Sequence, residues 1–306
     1  MADTRVKRRI TPSLSLMHRM NQVDAILDQA ARNRITFRSD FQTIHIDEAW
    51  FYLIRQRDRV HILPGEERVG STEVQHKSHI PKVIFICATS RPDPSRDFDG
   101  KIGIWHICVI KSAQSNSAWR ERELDVTIEV EWYQEWYKDS LVPALKEKMP
   151  WLEGEEMVAQ QDGATLHTGK DMPRKLNELG RDRGWNVDLV TQPAQSPDLN
   201  VNDMGVFASL KSRVWRERYG TIDGLVEGVK SMYDAFDAAT LERMRQSLFT
   251  RYNQVLKAPG GNDVQLQHTE TKERQRRGSL PKSVKIDPEA FDAAVERWID
   301  GNEERC

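Results

Sequence analysis

The stretch TIHIDEAWFYLI, residues 43–54, predicts a buried β-strand that carries two adjacent carboxylates. Its β-branched and aromatic residues favour strand structure, and a short apolar run of this kind is typical of a sheet core. Successive side chains on a strand point to opposite faces, so Asp47 and Glu48 cannot both enter one site. A charge inside a sheet must be paired, bind a metal or lie at the strand's edge, and this stretch alone leaves a structural ion pair open.

The composition predicts a globular protein with local rather than global positive charge. The 306 residues are 38% hydrophobic and 30% charged, and the formal net charge is −2. This charge gives no overall attraction to nucleic acid, but basic residues are grouped at residues 55–59, 211–218 and 272–277. Such groups are either solvated charged faces or the patches of an enzyme that holds a polyanion around acids at its centre.

Other features of the sequence argue against several classes of protein. The longest apolar runs are strand-sized, so we expect no membrane span, and the N-terminus lacks the apolar region of a secretory signal. The three cysteines, Cys87, Cys108 and Cys306, are too few and too scattered for a disulfide framework or a zinc site. A reducing compartment is the simplest interpretation.

The order of the predicted elements indicates the fold class. Three strands come first, at about residues 41–54, 82–89 and 102–110, and strands at about 156–161 and 185–191 then alternate with helices. The predicted helices cover about residues 131–149, 172–183, 221–236 and 240–256, while residues 196–215 start as a loop and become helical. Antiparallel strands followed by parallel ones flanked by helices give a mixed sheet with helices on both faces. We therefore predict an α/β protein with a mixed five-stranded sheet, which is the order of an RNase H-like fold.

The same pattern divides the chain into a main domain at residues 41–258 and two polar ends. Residues 1–40 are interpreted as an N-terminal helical segment or linker, and residues 259–306 as a charged tail with a terminal helix at about 288–299. Residues 55–80 are charged, rich in turn residues and long for a hairpin loop, so we interpret them as a functional insert.

Asp162 and Asp203 are further acids in positions where a site is expected. Asp162 ends a short strand, and open α/β sheets build their sites at the carboxyl ends of strands; a turn or helix-cap residue is the alternative. Asp203 lies in a helical pattern beside apolar residues, which is an unusual place for an acid. Asp198, by contrast, follows a proline and has the pattern of a turn or cap residue. His167 either lines the same site or packs.

Three carboxylates from separate segments have one economical common use. Oxygen ligands suit hard divalent cations such as Mg²⁺ or Mn²⁺. Two such ions about 3.5–4 Å apart can activate an attacking hydroxyl and stabilise the leaving oxygen in phosphoryl transfer. Without metal, carboxylates that converge should show at least one raised pKa.

Three motifs in order resemble a known family. IHIDEAWFYL, QQDGATLH and QSPDLNVNDMGVFASLK, with supporting segments such as IPKVIFICATSRP, are similar to the catalytic domain of mariner/pogo-like cut-and-paste DNA transposases. That family carries an Asp, Asp, Asp/Glu triad on an RNase H-like fold. The resemblance covers roughly residues 41–268. It identifies Asp47, Asp162 and Asp203 as the catalytic triad, which would hold two Mg²⁺ or Mn²⁺ ions, and leaves Glu48 a supporting or structural role.

The resemblance implies a nuclear enzyme that cleaves DNA and transfers strands. Its partners would be transposon ends and target DNA, and residues 55–80 would correspond to the loop by which mariner-type transposases clamp a partner subunit in a homodimer. Family members begin with paired helix-turn-helix units that read transposon ends. Residues 1–40 are too few for such units, so we expect a truncated element, a host gene derived from one or an incomplete gene model.

Two other functions stay open from the sequence. One is a non-catalytic descendant of a transposase that binds DNA or protein. The other is a different RNase H-like phosphodiesterase, such as an RNA–DNA hybrid nuclease, against which the family-like segments argue. The tryptophans Trp132, Trp136, Trp151 and Trp185 either stack on flipped bases or, as their helical and strand spacing favours, pack in the core.

Overall fold

The computed structural model describes residues 40–53, 81–107, 130–162, 172–182, 184–192, 196–257, 286–289 and 291–292. The predicted N-terminal helical segment, the insert at residues 55–80, His167 and most of the tail at residues 259–306 lie outside the described residues.

The described strands form one sheet with β1 at its centre. They are β1 (Thr43–Tyr52), β2 (Lys82–Thr89), β3 (Lys101–Ile107), β4 (Glu156–Gln161) and β5 (Asn186–Thr191). Their order in this five-stranded sheet of the described residues is β3-β2-β1-β4-β5. The β1–β2 and β2–β3 pairs are antiparallel, whereas β1–β4 and β4–β5 are parallel. The predicted mixed five-stranded sheet is confirmed, and the stretch that carries Asp47 is its central strand.

The described helices follow the predicted order, with two π-helical interruptions. They are α1 (Val130–Trp136), α2 (Val142–Lys148), α3 (Met172–Arg181), α4 (Phe207–Val214), α5 (Ile222–Asp234) and α6 (Ala238–Lys257). The helix predicted at residues 131–149 is α1 and α2 joined by the π-helical turn Tyr137–Leu141. A 3₁₀ turn, Pro197–Leu199, and a second π-helical turn, Asn202–Val206, precede α4. None of the helices in the described ranges is both long and apolar enough to cross a membrane.

The alternation of side chains along β1 divides the core into two layers. Ala49 and Phe51 pack with residues of α4, α5 and α6 on one face of the sheet. Ile44 and Ile46 pack with residues of α1, α2 and α3 on the other face. The period-2 pattern of strands accounts for this division, and the helices cover both faces as predicted.

The four tryptophans lie in or against the second of these layers. Trp136 and Trp185 are 4% and 0% exposed, respectively, so the core interpretation is confirmed for both. Trp132 is partly buried and stacks on Trp136, with ring centroids 6.5 Å apart. Trp151 is partly buried against the same layer and packs edge-on to Phe98 at 5.7 Å.

A buried cluster of charged groups ties α6 to the sheet. Asp40, just before β1, lies 3.4 Å from both Arg91 and Arg245. Arg91 also pairs with Glu242 at 2.7 Å, and Arg245 donates to the Thr89 carbonyl oxygen at 2.9 Å. Arg245 is fully buried. Because water cannot solvate the Arg245 guanidinium, these partners compensate its buried positive charge.

Replacing Arg245 with leucine is expected to lower the free energy of unfolding by about 3–5 kcal/mol, because breaking a buried pair leaves an uncompensated charge. The matched control is Arg174→Leu, which removes an exposed pair with Glu178 at 3.3 Å. Exposed pairs at this helical spacing contribute about 0.3–0.5 kcal/mol. Urea unfolding measures both values, and equal losses in the two variants would contradict the assignment of the cluster as the anchor of α6.

Candidate active site

Asp47 lies in the middle of β1 with its carboxyl group buried. The residue is 5% exposed. Its Oδ1 accepts a hydrogen bond from the Glu48 backbone N–H at 2.9 Å, but among the described residues no donor faces Oδ2. Buried polar atoms normally have a partner, and an orphaned one calls for an explanation. A proton or a cation at this oxygen would supply it.

The carboxyl group of Asp203 meets that of Asp47. Asp203 is the second residue of the π-helical turn Asn202–Val206; the residue is exposed overall, but its carboxyl end is partly enclosed by the other acids. Its carboxyl group is close enough to that of Asp47 for the two to share a proton. Two carboxylates at this separation cannot both be ionised unless a cation accompanies them.

In the absence of a cation, a proton relieves the repulsion between these two groups. Burial, followed by the negative charges of Asp203 and Glu48, raises the pKa of Asp47 to about 9. Partial burial of its carboxyl group, with the charge of Asp162, also raises the pKa of Asp203. The raised pKa that converging carboxylates predict is therefore present.

Asp162 directly follows β4, at the carboxyl end of that strand. β1 and β4 are parallel, with His45 opposite Gln160. Continuing this register by two residues places Asp162 alongside Asp47. The structure therefore brings the three predicted acids, which come from three separate segments, into one neighbourhood.

These acids do not enclose a metal ion as they stand. In the described part of the chain, no group of three or more His, Cys, Asp or Glu side chains is arranged to hold one. The pair of Asp47 and Asp203 nevertheless offers what a hard divalent cation prefers, namely carboxylate oxygens, one of which is buried and has no donor. The residues that could hold an ion are therefore Asp47 and Asp203, and Asp162, whose charge acts on Asp203, is the further candidate.

Glu48 belongs to the same electrostatic neighbourhood, which strand alternation did not predict. Burial, followed by the charges of Asp162 and Asp203, raises the pKa of Glu48 to about 8. Glu48 therefore acts on the site through its charge, and the prediction that only one of the two adjacent acids enters the site stays a prediction. Glu48 and Asp47 leave the strand in opposite directions, but charges are weakly screened inside a protein and act across the thickness of one strand.

The segment before Asp203 is fastened to β1 by buried polar groups. Asn200 donates to the Ile46 carbonyl oxygen at 3.0 Å, and Asn202 donates to the His45 carbonyl oxygen at 2.8 Å. His45 Nδ1 accepts a backbone N–H from the same segment at 3.3 Å. Burial lowers the pKa of His45 well below its ordinary value, so the ring is neutral. Sequence reasoning missed these residues, although the two asparagines beside Asp203 in an apolar stretch are the signal that could have found them.

Lys211 brings a positive charge to the same place. It lies on α4, eight residues after Asp203 and half-buried. Its Nζ is 5.6 Å from the ring centroid of Phe51 and 6.0 Å from that of Phe207. Burial lowers the pKa of Lys211, while the charges of Asp203 and Asp47 oppose that shift. Lys211 therefore partly offsets the negative charge of the acids.

Asp198 has the structural role that its sequence context predicts. It lies in the 3₁₀ turn Pro197–Leu199, and its carboxylate is 3.5 Å from the Arg251 guanidinium on α6. The turn assignment is confirmed.

In the metal-free protein, the raised pKa of Asp47 is expected to make stability fall as pH rises. The folded state keeps the proton up to about pH 9, whereas the unfolded chain releases it at about pH 4. The native state therefore binds more protons across this window, and the free energy of unfolding declines as pH increases through it. Asp47→Asn removes this ionisation and should flatten the decline, so that the variant melts at a higher temperature than wild type at about pH 8.

Thermal melts in a chelator across this pH range make the measurement. The control is Asp223→Asn, at an exposed acid in the first turn of α5, which should follow the wild-type curve. If the Asp47→Asn and wild-type curves run parallel, Asp47 does not hold a proton in the folded state at these pH values.

Comparisons with known proteins identify the fold. No protein-family model matches this sequence, and no curated protein shows significant sequence similarity to it. Solved structures of the Mos1 mariner transposase, by contrast, are similar in three dimensions. A pre-cleavage Mos1 transpososome aligns at a TM-score of 0.61 with 16% identity, over 86% of this chain and 64% of its own.

Two further Mos1 structures agree. The Mos1 catalytic domain aligns at a TM-score of 0.53 with 16% identity, over 83% of this chain and 93% of its own. The Mos1 paired-end complex with Mn aligns at 0.58 with 17% identity, over 83% of this chain and 62% of its own. The chain thus spans less than two thirds of the length of the Mos1 chains in those assemblies. It has the RNase H-like fold of the catalytic domain of the Mos1 mariner transposase.

Proposed function

We propose that this chain is a mariner-like transposase catalytic domain that cleaves DNA phosphodiester bonds and transfers the cut strand, using divalent metal ions held by Asp47, Asp162 and Asp203. One observation carries the proposal: the carboxyl groups of Asp47 and Asp203 meet with an oxygen of Asp47 left without a donor. The fold shared with the Mos1 catalytic domain supports the reaction class.

Mg²⁺ or Mn²⁺ suits this donor set. Carboxylate oxygens are the ligands that these hard cations prefer, and solved Mos1 structures contain Mn or Mg. When bound, a pair of such ions supplies activation of the attacking hydroxyl and stabilisation of the leaving oxygen in phosphoryl transfer.

The side chains of the protein divide the remaining tasks by their exposure. Asp47 is buried on the central strand and forms the fixed floor of the site. Asp203 is exposed and forms its open side, where a DNA phosphate would arrive. Lys211, on the same helical segment, faces the acids with a half-buried ammonium. Its charge would attract the phosphate that the acids alone would repel.

The proposed reaction has two steps that use the same acids. In the first, a water oxygen bonds to phosphorus and the bond from phosphorus to the 3′ oxygen breaks, which leaves a 3′-hydroxyl and a 5′-phosphate. In the second, that 3′-hydroxyl bonds to phosphorus of a target DNA strand and displaces the 3′ oxygen of the target. Both are phosphoryl transfers, so no oxidant or further cofactor is needed.

DNA is the partner that this chemistry requires. The Mos1 structures similar to this chain include a pre-cleavage transpososome and a strand transfer complex. The net charge of −2 gives no general attraction to DNA, so local positive groups such as those at residues 211–218 would have to supply it. A homodimer and a nuclear location belong to the same proposal.

Asp162→Asn and Asp203→Asn are each expected to reduce DNA nicking in Mg²⁺ by at least roughly 10²–10³-fold, the scale of losing a group that stabilises charge in the transition state. Asp223→Asn, at an exposed acid on α5, is the control and should keep wild-type activity. Supercoiled plasmid assayed with Mg²⁺, with Mn²⁺ and with chelator provides the readout. Undiminished nicking in either site variant would reject the three-acid centre, and wild-type protein that neither nicks DNA nor binds Mn²⁺ would favour the non-catalytic descendant.

Lys211→Gln is expected to weaken DNA binding at every sequence and to lower the slope of log affinity against log salt by about one, because one phosphate contact is lost. Lys230→Gln is the matched control, since Lys230 lies on α5 in a pair with Glu227 at 3.7 Å. Fluorescence anisotropy with a short duplex at several salt concentrations measures both slopes. An unchanged slope in Lys211→Gln would remove Lys211 from the DNA-binding surface.

A further inference from the structure

We propose that Asn202 is a positioning residue that sets where Asp203 stands against Asp47. The inference deepens the proposed function, on which it rests for the role of the two acids. It assigns a role in the site to a residue other than the three acids, namely holding Asp203 in position.

Asn202 joins the π-helical turn to two strands at once. Its Nδ2 donates to the His45 carbonyl oxygen at 2.8 Å and to the Cys87 carbonyl oxygen at 3.1 Å. Its Oδ1 accepts a hydrogen bond from the Thr89 hydroxyl at 2.7 Å. The residue is fully buried. One amide group therefore holds β1 through His45 and β2 through Cys87 and Thr89.

The strand residues that accept hydrogen bonds from Asn202 are close neighbours of Asp47 in the sheet. His45 is two residues before Asp47 on β1, and Cys87 is the cross-strand partner of Asp47 on β2. Asn202 is also the residue immediately before Asp203. Asn202 is therefore covalently next to one acid and hydrogen-bonded to strand residues that neighbour the other. A shift of Asn202 would move Asp203 relative to Asp47.

The backbone of Asn202 also starts the π-helical turn that presents Asp203. Its carbonyl oxygen accepts the hydrogen bond from the Phe207 N–H that closes the turn, and its own N–H donates to Asn200 Oδ1 at 3.0 Å. π-helical turns are rare and occur frequently at functional sites. The side-chain anchor and the unusual turn thus meet at one residue.

An apolar residue would fill the same space at lower desolvation cost, so packing alone does not explain an asparagine here. A side chain that only filled the core would also leave the Thr89 hydroxyl without its acceptor. Metal ligands need their supporting groups fixed to within about 0.5 Å. Losing such support typically weakens metal binding or activity by about 10–100-fold.

Asn202→Leu, which keeps the size and removes the hydrogen bonds, is the direct test in the full chain. Calorimetric titration with Mn²⁺ alone should show a dissociation constant about 10–100-fold higher than that of wild type. The matched control is Asn177→Leu. Asn177 Oδ1 accepts the Leu189 N–H at 3.2 Å, so this variant loses an amide–backbone bond away from the acids and should keep wild-type Mn²⁺ affinity. A merely structural role would lower the melting temperature of both variants and leave their Mn²⁺ affinities equal.

Thr89→Val serves if Asn202→Leu fails to fold, because it removes a single bond to Asn202. It should weaken Mn²⁺ binding several-fold, and wild-type affinity in the folded variant would overturn the proposal. Crystal structures of the metal-free variant and wild type give a second readout that does not depend on metal. Asp203 should leave Asp47 in the variant, and an unmoved Asp203 would also overturn the proposal. Failure of the wild type to bind Mn²⁺ would count against the proposed function, while the position of Asp203 would still decide the role of Asn202.

Discussion

The contact between the Asp47 and Asp203 carboxyl groups is the constraint on which the surrounding structure depends. Two like charges in a poorly screened environment repel strongly, and water would separate them if the chain allowed it. The chain does not allow it, because Asp47 is fixed in the central strand and Asp203 is carried by a turn that is bonded to that strand. The pair therefore has to hold a proton or a cation. This requirement is the reason that the pair is a candidate site for a divalent cation.

Polar groups continue from this pair into the interior on the α4–α6 side of the sheet. Asn202 receives a hydrogen bond from Thr89, whose carbonyl oxygen accepts one from Arg245, and Arg245 pairs with Asp40. These groups are buried, and their desolvation costs free energy that an apolar core would not lose. In return, each group has a defined partner and therefore a defined position. The same network anchors α6 and supports the segment that carries Asp203.

The opposite face of β1 takes part through electrostatics. The Glu48 side chain leaves the strand on that side. Burial, and after it the negative charge of Glu48, raises the pKa of Tyr133 well above its ordinary value. The Tyr133 hydroxyl donates to Gln161 Oε1, next to Asp162. Buried polar groups thus border the acids on both faces of the sheet. Burial and the charges of Asp162 and Asp203 raise the pKa of Glu48, although Glu48 does not share a face with Asp47.

The sequence by itself determined the strands, the helix order, the two-layer core and the choice of three candidate acids, because these follow from local periodicity and from motifs that lie within single segments. The alternation in residues 43–54 predicts which side chains of β1 face each layer, and Asp198 shows its turn role in its own context. The tertiary structure alone decided that Asp47 lies against Asp203, that the charge of Asp162 acts on Glu48, and that Asn202 is hydrogen-bonded to both β1 and β2. Each of these depends on contacts between segments far apart in the chain, and burial and the electrostatic coupling of charges exist only after those segments have packed.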